Sequence, residues 1–422
     1  MTSTVNRRML AKILGAAAAG AAVSPLLAQT VGGPAAGFTE AGLGALLDRT
    51  QFAANEYQVS LNNARWHPLS KGAQAAVAAY MEYKRRGIWH QGDEVAEMQQ
   101  HVRESFAALI YARAEEIAFV PSTTAGENLI VAALGFPGAK GNIVTDALHF
   151  EGSLYLYDAL ARQGVDVRVV RPREWGIRPE DMAAAVDNET RLVAVSLVSY
   201  INGFMHDVKA LAELAHAHGA FLYVDAVQAA GCVPIDVRAL GVDALGSASY
   251  KWLMGDMGLG FLYVRQAALS RLRRPVYGYR QGEQFTYHVF PGDAPGRYPV
   301  EWKQRDNAAG YFEVGTYANA VLAALSFSLP WLQQVGVERI QAHAQPLVAQ
   351  LRRELPARGY TCITPEGSGA PIVSFRVTDE AKTAAALKRA NVDVGLGEGR
   401  MRVSPSVYNT MDDVERLIAA LA

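Results

Sequence analysis

Short apolar runs bounded by Gly, Pro, Asp or Asn recur from about Glu116 onward: IAFV (117–120), NIVT (142–145), VRVV (167–170), LVAVSLV (192–198), AFLYV (220–224) and GFLYV (260–264). Each is apolar at consecutive rather than alternating positions, which predicts strands buried on both faces. Helical patterns fill the intervals; across 208–218, Leu211, Leu214 and Ala215 fall on one face. This alternation predicts an α/β fold, a mostly parallel sheet covered by helices on two sides.

Flanking regions read differently. Residues 41–48 and 71–86 have helical patterns joined by an extended segment at 57–63. After Thr316 a long helical stretch reaches Leu332, followed by helices at 337–358 and 383–390, a strand at 370–377 and a closing helix at 411–421. The pattern assigns 91–330 to a large domain, and 41–90 with 331–422 to a small α+β domain assembled from both ends of the chain.

With 422 residues and half of them hydrophobic, the chain can build a sizeable core. The formal net charge of −1 gives no reason to expect a nucleic-acid partner. Its two cysteines, Cys232 and Cys362, are far apart and lack metal-ligand spacing, so neither a disulfide framework nor a metal site is expected. At the N-terminus, NRRMLAK (6–12) precedes an Ala/Gly-rich apolar stretch at 13–27, with Ala28 as the cleavage position. This is the layout of a twin-arginine signal peptide (1–28), followed by a linker at 29–40. The apolar stretch is too short to span a bilayer. The expectation is therefore an enzyme delivered to the periplasm by the Tat export machinery, with no membrane segment in its mature form.

Two segments carry the chemistry. LYVDAVQAAG places Asp225 at a strand end, and SASYKWLMGDMGLGFLYV places Lys251 26 residues later, ahead of a glycine-rich return to a strand. A lysine can carry the aldehyde of pyridoxal phosphate (PLP) as a Schiff base, and an aspartate can keep the pyridine nitrogen protonated. Other loops at strand ends suit the same ligand. In PSTTAGENL, the hydroxyls of Ser122, Thr123 and Thr124 stand at a helix N-terminus, which is a phosphate cradle, although such residues also cap helices generally. Ser247, Ser249 and Tyr250 can donate to the same phosphate. His149 is placed to stack on the cofactor ring and assist proton transfer, and Asn202 and Gln228 to reach its phenolic oxygen. His216 and His218 have HxH spacing but sit at a helix end, where their side chains diverge. Tyr287, Phe290, Trp302 and Arg280 are placed near the mouth of the site.

With these residues in view, the chain resembles the class V aminotransferase family of fold-type I PLP enzymes over about 55–420. The resemblance implies a seven-stranded sheet in the large domain, a homodimer and an amino-acid substrate. It also implies Lys251 as the Schiff-base lysine, Asp225 on the pyridine nitrogen, Gln228 on the phenolic oxygen and His149 over the ring. Thr123 and Thr124 are implied on the phosphate, with Thr316 of FEVGTYAN reaching the phosphate of the neighbouring subunit. Arg402 is implied as the clamp on the substrate carboxylate, and Asn63 as a second substrate-binding residue. The segment LNNARWHP, with Asn62 and Asn63, is similar to the epimerase-like branch, and the signal is similar to that of an exported, periplasmic branch acting in pyoverdine maturation. Tyr250 stands where histidine is usual, and Ala248 where desulfurases carry a phosphate-binding serine. GLGEGRM, before Arg402, has no cysteine to accept sulfur, which argues against desulfuration. The reading is transaminase or epimerase chemistry at Cα of an amino acid or peptide side chain. A C–S or C–C lyase and a non-catalytic PLP-binding scaffold are the alternatives.

Overall fold

The computed structural model describes residues 45–87, 93–294 and 297–422. The expected signal peptide, the linker and the start of the 41–48 helix lie outside them. Residues 45–48 are not helical; Asp48 instead caps a short 3-10 turn, Arg49–Gln51, through the backbone N–H of Thr50.

Seven strands form the central sheet: β1 (Ile117–Val120), β2 (Asn142–Asp146), β3 (Asp166–Val170), β4 (Thr190–Ser196), β5 (Phe221–Asp225), β6 (Ala244–Ala248) and β7 (Gly260–Val264). Their order is β1-β7-β6-β5-β4-β2-β3, and only β7 runs antiparallel to its neighbours. The strand β6 goes beyond the sequence reading. Its residues, ALGSA, have little β propensity, and they become a strand because the site between β5 and β7 buries every one of them. Gly246 is required there, since a Cβ would lie 2.3 Å from the Tyr223 hydroxyl.

The principal helices are α1 (Lys71–Arg86), α2 (Asp93–Leu109), α3 (Thr123–Ala133), α4 (Glu151–Arg162), α5 (Val208–Ala217), α6 (Asn319–Val335), α7 (Val337–Glu354), α8 (Glu380–Ala390) and α9 (Met411–Ala420). Their limits follow local chemistry. Ser70 accepts the N–H of Ala73 to start α1, Asp207 that of Ala210 to start α5, and Asp379 that of Lys382 to start α8. Two hydrophobic clusters cover the sheet: one takes in α2 and α6, the other the inner faces of α3 and α4. A third joins Val59 and Leu61 to residues between Leu347 and Leu421. Among the described residues no single helix is long and apolar enough to cross a membrane; the bent pair α6 and α7 has the composition but contributes heavily to the core.

The residues expected at the mouth form an unforeseen antiparallel hairpin of β8 (Gly282–Tyr287) and β9 (Val300–Gln304). Tyr287, Phe290 and Trp302 are exposed on or beside it, and the Arg280 guanidinium sits 4.3 Å over the Tyr317 ring. None of the four lines the site within this chain.

Candidate active site

The carboxyl ends of β4, β5 and β6 and the start of α3 line a cavity of about 110 Å³ that opens to solvent. Such a place is expected for a ligand in an open α/β sheet. Its wall includes Thr123, Thr124, Ser196, Asp225, Gln228 and Lys251. The two residues that opened the chemical argument therefore meet.

Asp225 ends β5 in a fully apolar strand, and its Oδ1 accepts the N–H of Val227 at 2.8 Å. Burial pushes its carboxyl up, while His149, the Val227 N–H and Lys251 pull in the opposite direction. The Lys251 amine is buried and makes no hydrogen bond among the described residues. Burial first, then the charge of Arg402, brings it down to about 8 against the pull of Asp225. An amine poised there can switch between neutral and charged forms near neutrality.

The loop holding Lys251 is tied down by its glycines. A Cβ on Gly255 would lie 2.9 Å from that of Ser249, and one on Gly260 would lie 2.8 Å from the Ser247 carbonyl oxygen. These glycines let the lysine loop fold onto β6 and β7 rather than approach the ligand. The same folding removes Ser249 from the site: its Oγ is engaged with the carbonyls of Asp256 and Leu259 at 2.6 and 2.8 Å. Ser249 is a strut of the lysine loop, which corrects its expected role on the phosphate.

At the start of α3, Ser122 spends its hydroxyl as the N-cap on the Ala125 N–H. Thr123 Oγ1 is buried without a partner on the cavity wall. An orphaned hydroxyl beside the free N–H groups of a helix start fits a phosphate. Thr124 shares that wall, and Tyr250 lines it beside Lys251.

Gln228 also lines the cavity. Its amide donates to the Ala64 carbonyl at 2.9 Å and accepts the Trp252 indole N–H at 3.0 Å, leaving one N–H for a ligand. Asn202 is not available: its Nδ2 donates to the Trp175 and Ile363 carbonyls, and its Oδ1 accepts the Phe204 N–H. Asn63 is likewise buried, bonded to Ser404, Asn409 and Tyr408. Both residues hold segments together outside the cavity, so neither takes the role expected of it.

His149 is the larger correction. It is 0% exposed and does not line the cavity. Nδ1 pairs with Ser196 Oγ at 2.8 Å and Nε2 with Glu127 Oε1 at 3.0 Å, so the imidazole lies behind the wall. The next residue, Phe150, turns its ring into the cavity and packs edge-on against Tyr200, 5.6 Å between centroids. Glu127, Ser196 and Phe150 escaped the sequence reading. The available signal was Glu127 falling one turn after Thr123 on the same helix.

Arg402 lies on β12 (Arg400–Val403), paired with β10 (Val373–Arg376) and β11 (Gly395–Gly397). One guanidinium N–H binds the Tyr200 carbonyl at 2.9 Å, and Nε is buried without a partner. Burial first, then Arg400, lowers it to about 10. Arg402 does not itself line the cavity, but Tyr200, whose carbonyl it binds, does. Thr316 is exposed and away from the cavity of its own chain. His216 and His218 diverge as expected, to Asp243 and Asn188, and no cluster suited to a metal occurs among the described residues.

The profile of the aminotransferase class-V family matches residues 70–417, and the chain belongs to that family. An uncharacterized aminotransferase YcbU of Bacillus subtilis is 29% identical over 78% of this chain and 84% of its own length. A probable cysteine desulfurase of Methanothermobacter thermautotrophicus is 30% identical over 75% of this chain and 81% of its own. The fold matches that of the cystine C–S lyase C-DES solved with its product cysteine persulfide, with a TM-score of 0.77 at 20% identity, covering 88% of this chain and 99% of that one. The cofactor is pyridoxal phosphate, and the lysine, the buried carboxylate and the orphaned threonine hydroxyl fit it. The expectation that the missing loop cysteine argues against desulfuration is overturned by the desulfurase relatives. The physical reason is that a thiol at 395–401 bears on sulfur handed to a protein acceptor; a C–S bond can also break by β-elimination, which expels the sulfur on a small molecule and needs only groups acting at Cα and Cβ.

Proposed function

We propose, from membership of the class V aminotransferase family as premise, that this protein uses PLP to cleave the carbon–sulfur bond of a sulfur-bearing amino acid such as cysteine or cystine. Bound in the cavity, the cofactor withdraws electrons from the substrate Cα, which loosens its proton and then a leaving group on Cβ. Lys251 would anchor the cofactor, and its neutral Nζ is the group that would take the Cα proton. Asp225 would hold the pyridine nitrogen, Thr123 and the start of α3 would hold the phosphate, and Gln228 would offer its spare N–H. Arg402 holds the substrate carboxylate with the N–H groups that lack a partner.

The observation that carries this reading is the makeup of the cavity wall taken with the desulfurase relatives. A lysine amine at about 8 lies within the field of an arginine, while neither Cys232 nor Cys362 lines the cavity. Sulfur therefore leaves on a diffusible product. Transamination or epimerisation would use the same groups, as the relative named an aminotransferase suggests. Incubating the PLP-loaded protein with L-cysteine, L-cystine and sulfur-free amino acids separates the readings: sulfur release supports C–S cleavage, whereas keto-acid formation or racemisation without it refutes the proposal. Thr316, exposed on its own chain, fits a dimer in which it serves the partner's phosphate. The basic and apolar stretches at 6–27 support an exported enzyme.

Arg402→Ala should raise KM for the amino acid by roughly 10- to 100-fold, the worth of one or two charge-assisted hydrogen bonds. It should do little to a substrate lacking the carboxylate, such as cysteamine. Steady-state kinetics on both compounds checks this; an unchanged KM for the amino acid would remove Arg402 from the site.

A further inference from the structure

Behind the cavity wall lies a set of buried polar groups that the proposed reaction does not use. Glu127 falls one helical turn after Thr123, so α3 presents the phosphate hydroxyl and then a carboxylate on one face. That carboxylate is 1% exposed and takes three donors: His149 Nε2 at 3.0 Å, Tyr157 OH at 2.5 Å and Ser153 Oγ at 2.5 Å. Three donors on one buried carboxylate favour its ionised form. A histidine that gives one ring nitrogen to that carboxylate and the other to Ser196 Oγ has both nitrogens engaged, as an imidazolium requires. Ser196 is the register partner of Asp225 across β4 and β5.

We propose that Glu127 and His149 form a buried ion pair whose imidazolium keeps Asp225 ionised, making Glu127 a positioning residue for the cofactor's ring nitrogen although it touches neither cofactor nor substrate. The inference rests on PLP binding and is independent of the sulfur chemistry.

The electrostatics agree with the geometry. Burial alone would neutralise His149, but attraction to Glu127 and their hydrogen bond hold its imidazole above the usual range. The same pairing, against burial, holds Glu127 below its own. Burial pushes Asp225 up, and the charge on His149 is the strongest influence opposing it; Glu127 itself works the other way, so its benefit passes through His149. The other groups facing the imidazole leave this intact. Ser153 and Tyr157 on α4 donate to Glu127, and Asp146 on β2 is already paired with His206 at 3.0 Å. Tyr223 on β5 is held neutral by burial, and Lys251 adds its charge at Asp225. An uncharged residue at 127 would take from His149 its largest counter-charge, leaving only Asp225 and Asp146 to favour the imidazolium, and Asp225 would lose its strongest support.

The test is spectroscopic. In the PLP-loaded wild-type protein, ¹⁵N-histidine NMR should show His149 still an imidazolium at a pH where an ordinary histidine has lost its proton; a neutral tautomer there overturns the proposal without any variant. Glu127→Gln should move the ¹⁵N signal of the bound cofactor's ring nitrogen toward its unprotonated position and weaken PLP binding about tenfold, equivalent to one pKa unit. The double variant Glu127→Gln with His149→Gln should be no worse than His149→Gln alone, because the carboxylate acts only through the imidazole. A ring-nitrogen signal unchanged in Glu127→Gln but shifted in His149→Gln would refute the relay.

Discussion

Lys251→Ala is expected to abolish covalent retention of the cofactor and lower turnover by about 10³-fold or more, since removing a positioned general base alone costs roughly 10² to 10⁴. The alanine leaves space in the wall and takes away an amine that forms no hydrogen bond among the described residues. PLP should then be held only by the phosphate and ring contacts and be lost on dialysis, and the visible absorbance of the lysine-bound cofactor should vanish. The wild-type protein carries a companion expectation. The base is the neutral amine, and Lys251 is brought down to about 8. The proton-transfer rate should therefore rise with pH below about 8 and level off above it, the direction expected for a group that works when deprotonated. A rate independent of pH across that range, or a Lys251→Ala variant that still turns over normally, would assign the base to another residue.

Asp225→Asn should act in two opposite directions. The amide keeps the shape and can still accept the Val227 N–H, but it carries no charge for the pyridine nitrogen. Breaking one side of a buried charge pair costs about 3 kcal/mol, or roughly two orders of magnitude in rate. The PLP-free protein should respond differently. Burial pushes the Asp225 carboxyl up, so an unfilled site holds an imperfectly paired charge that the amide removes. Thermal unfolding should show Asp225→Asn at least as stable as wild type without PLP, and gaining less than wild type when PLP is added. Equal stabilisation of both proteins by the cofactor would contradict a pairing between Asp225 and the ring.

Much of this arrangement was legible in the sequence, for reasons that differ from residue to residue. The strands apolar on both faces were found because a strand covered by helices has no polar side to disguise it. The strand Ala244–Ala248 was missed because its small residues are dictated by the crowding of Tyr223 against Gly246, a contact that no local pattern encodes. Asp225, Lys251, Thr123 and Gln228 were recognised by chemistry and position at strand ends, and they do meet on one wall. His149 was placed on the right loop but not on the right side of it. Its partner Glu127 lies 22 residues earlier on another element, so which way the imidazole points is settled only by packing. Ser249 and Asn202 failed for a related reason: hydroxyls and amides beside a pocket are as readily spent on backbone carbonyls as on a ligand. The missing cysteine misled differently, since it bears on transfer of sulfur to a protein thiol and not on β-elimination of a sulfur leaving group.

Product analysis on the PLP-loaded enzyme tests the central claim most directly. With L-cysteine or L-cystine, sulfide or cysteine persulfide respectively should appear in step with pyruvate and ammonia, the balance of β-elimination, and all should disappear in Lys251→Ala. The opposite result, in which the amino group is transferred or the Cα configuration inverted while all of the sulfur stays bonded to carbon, would contradict the account.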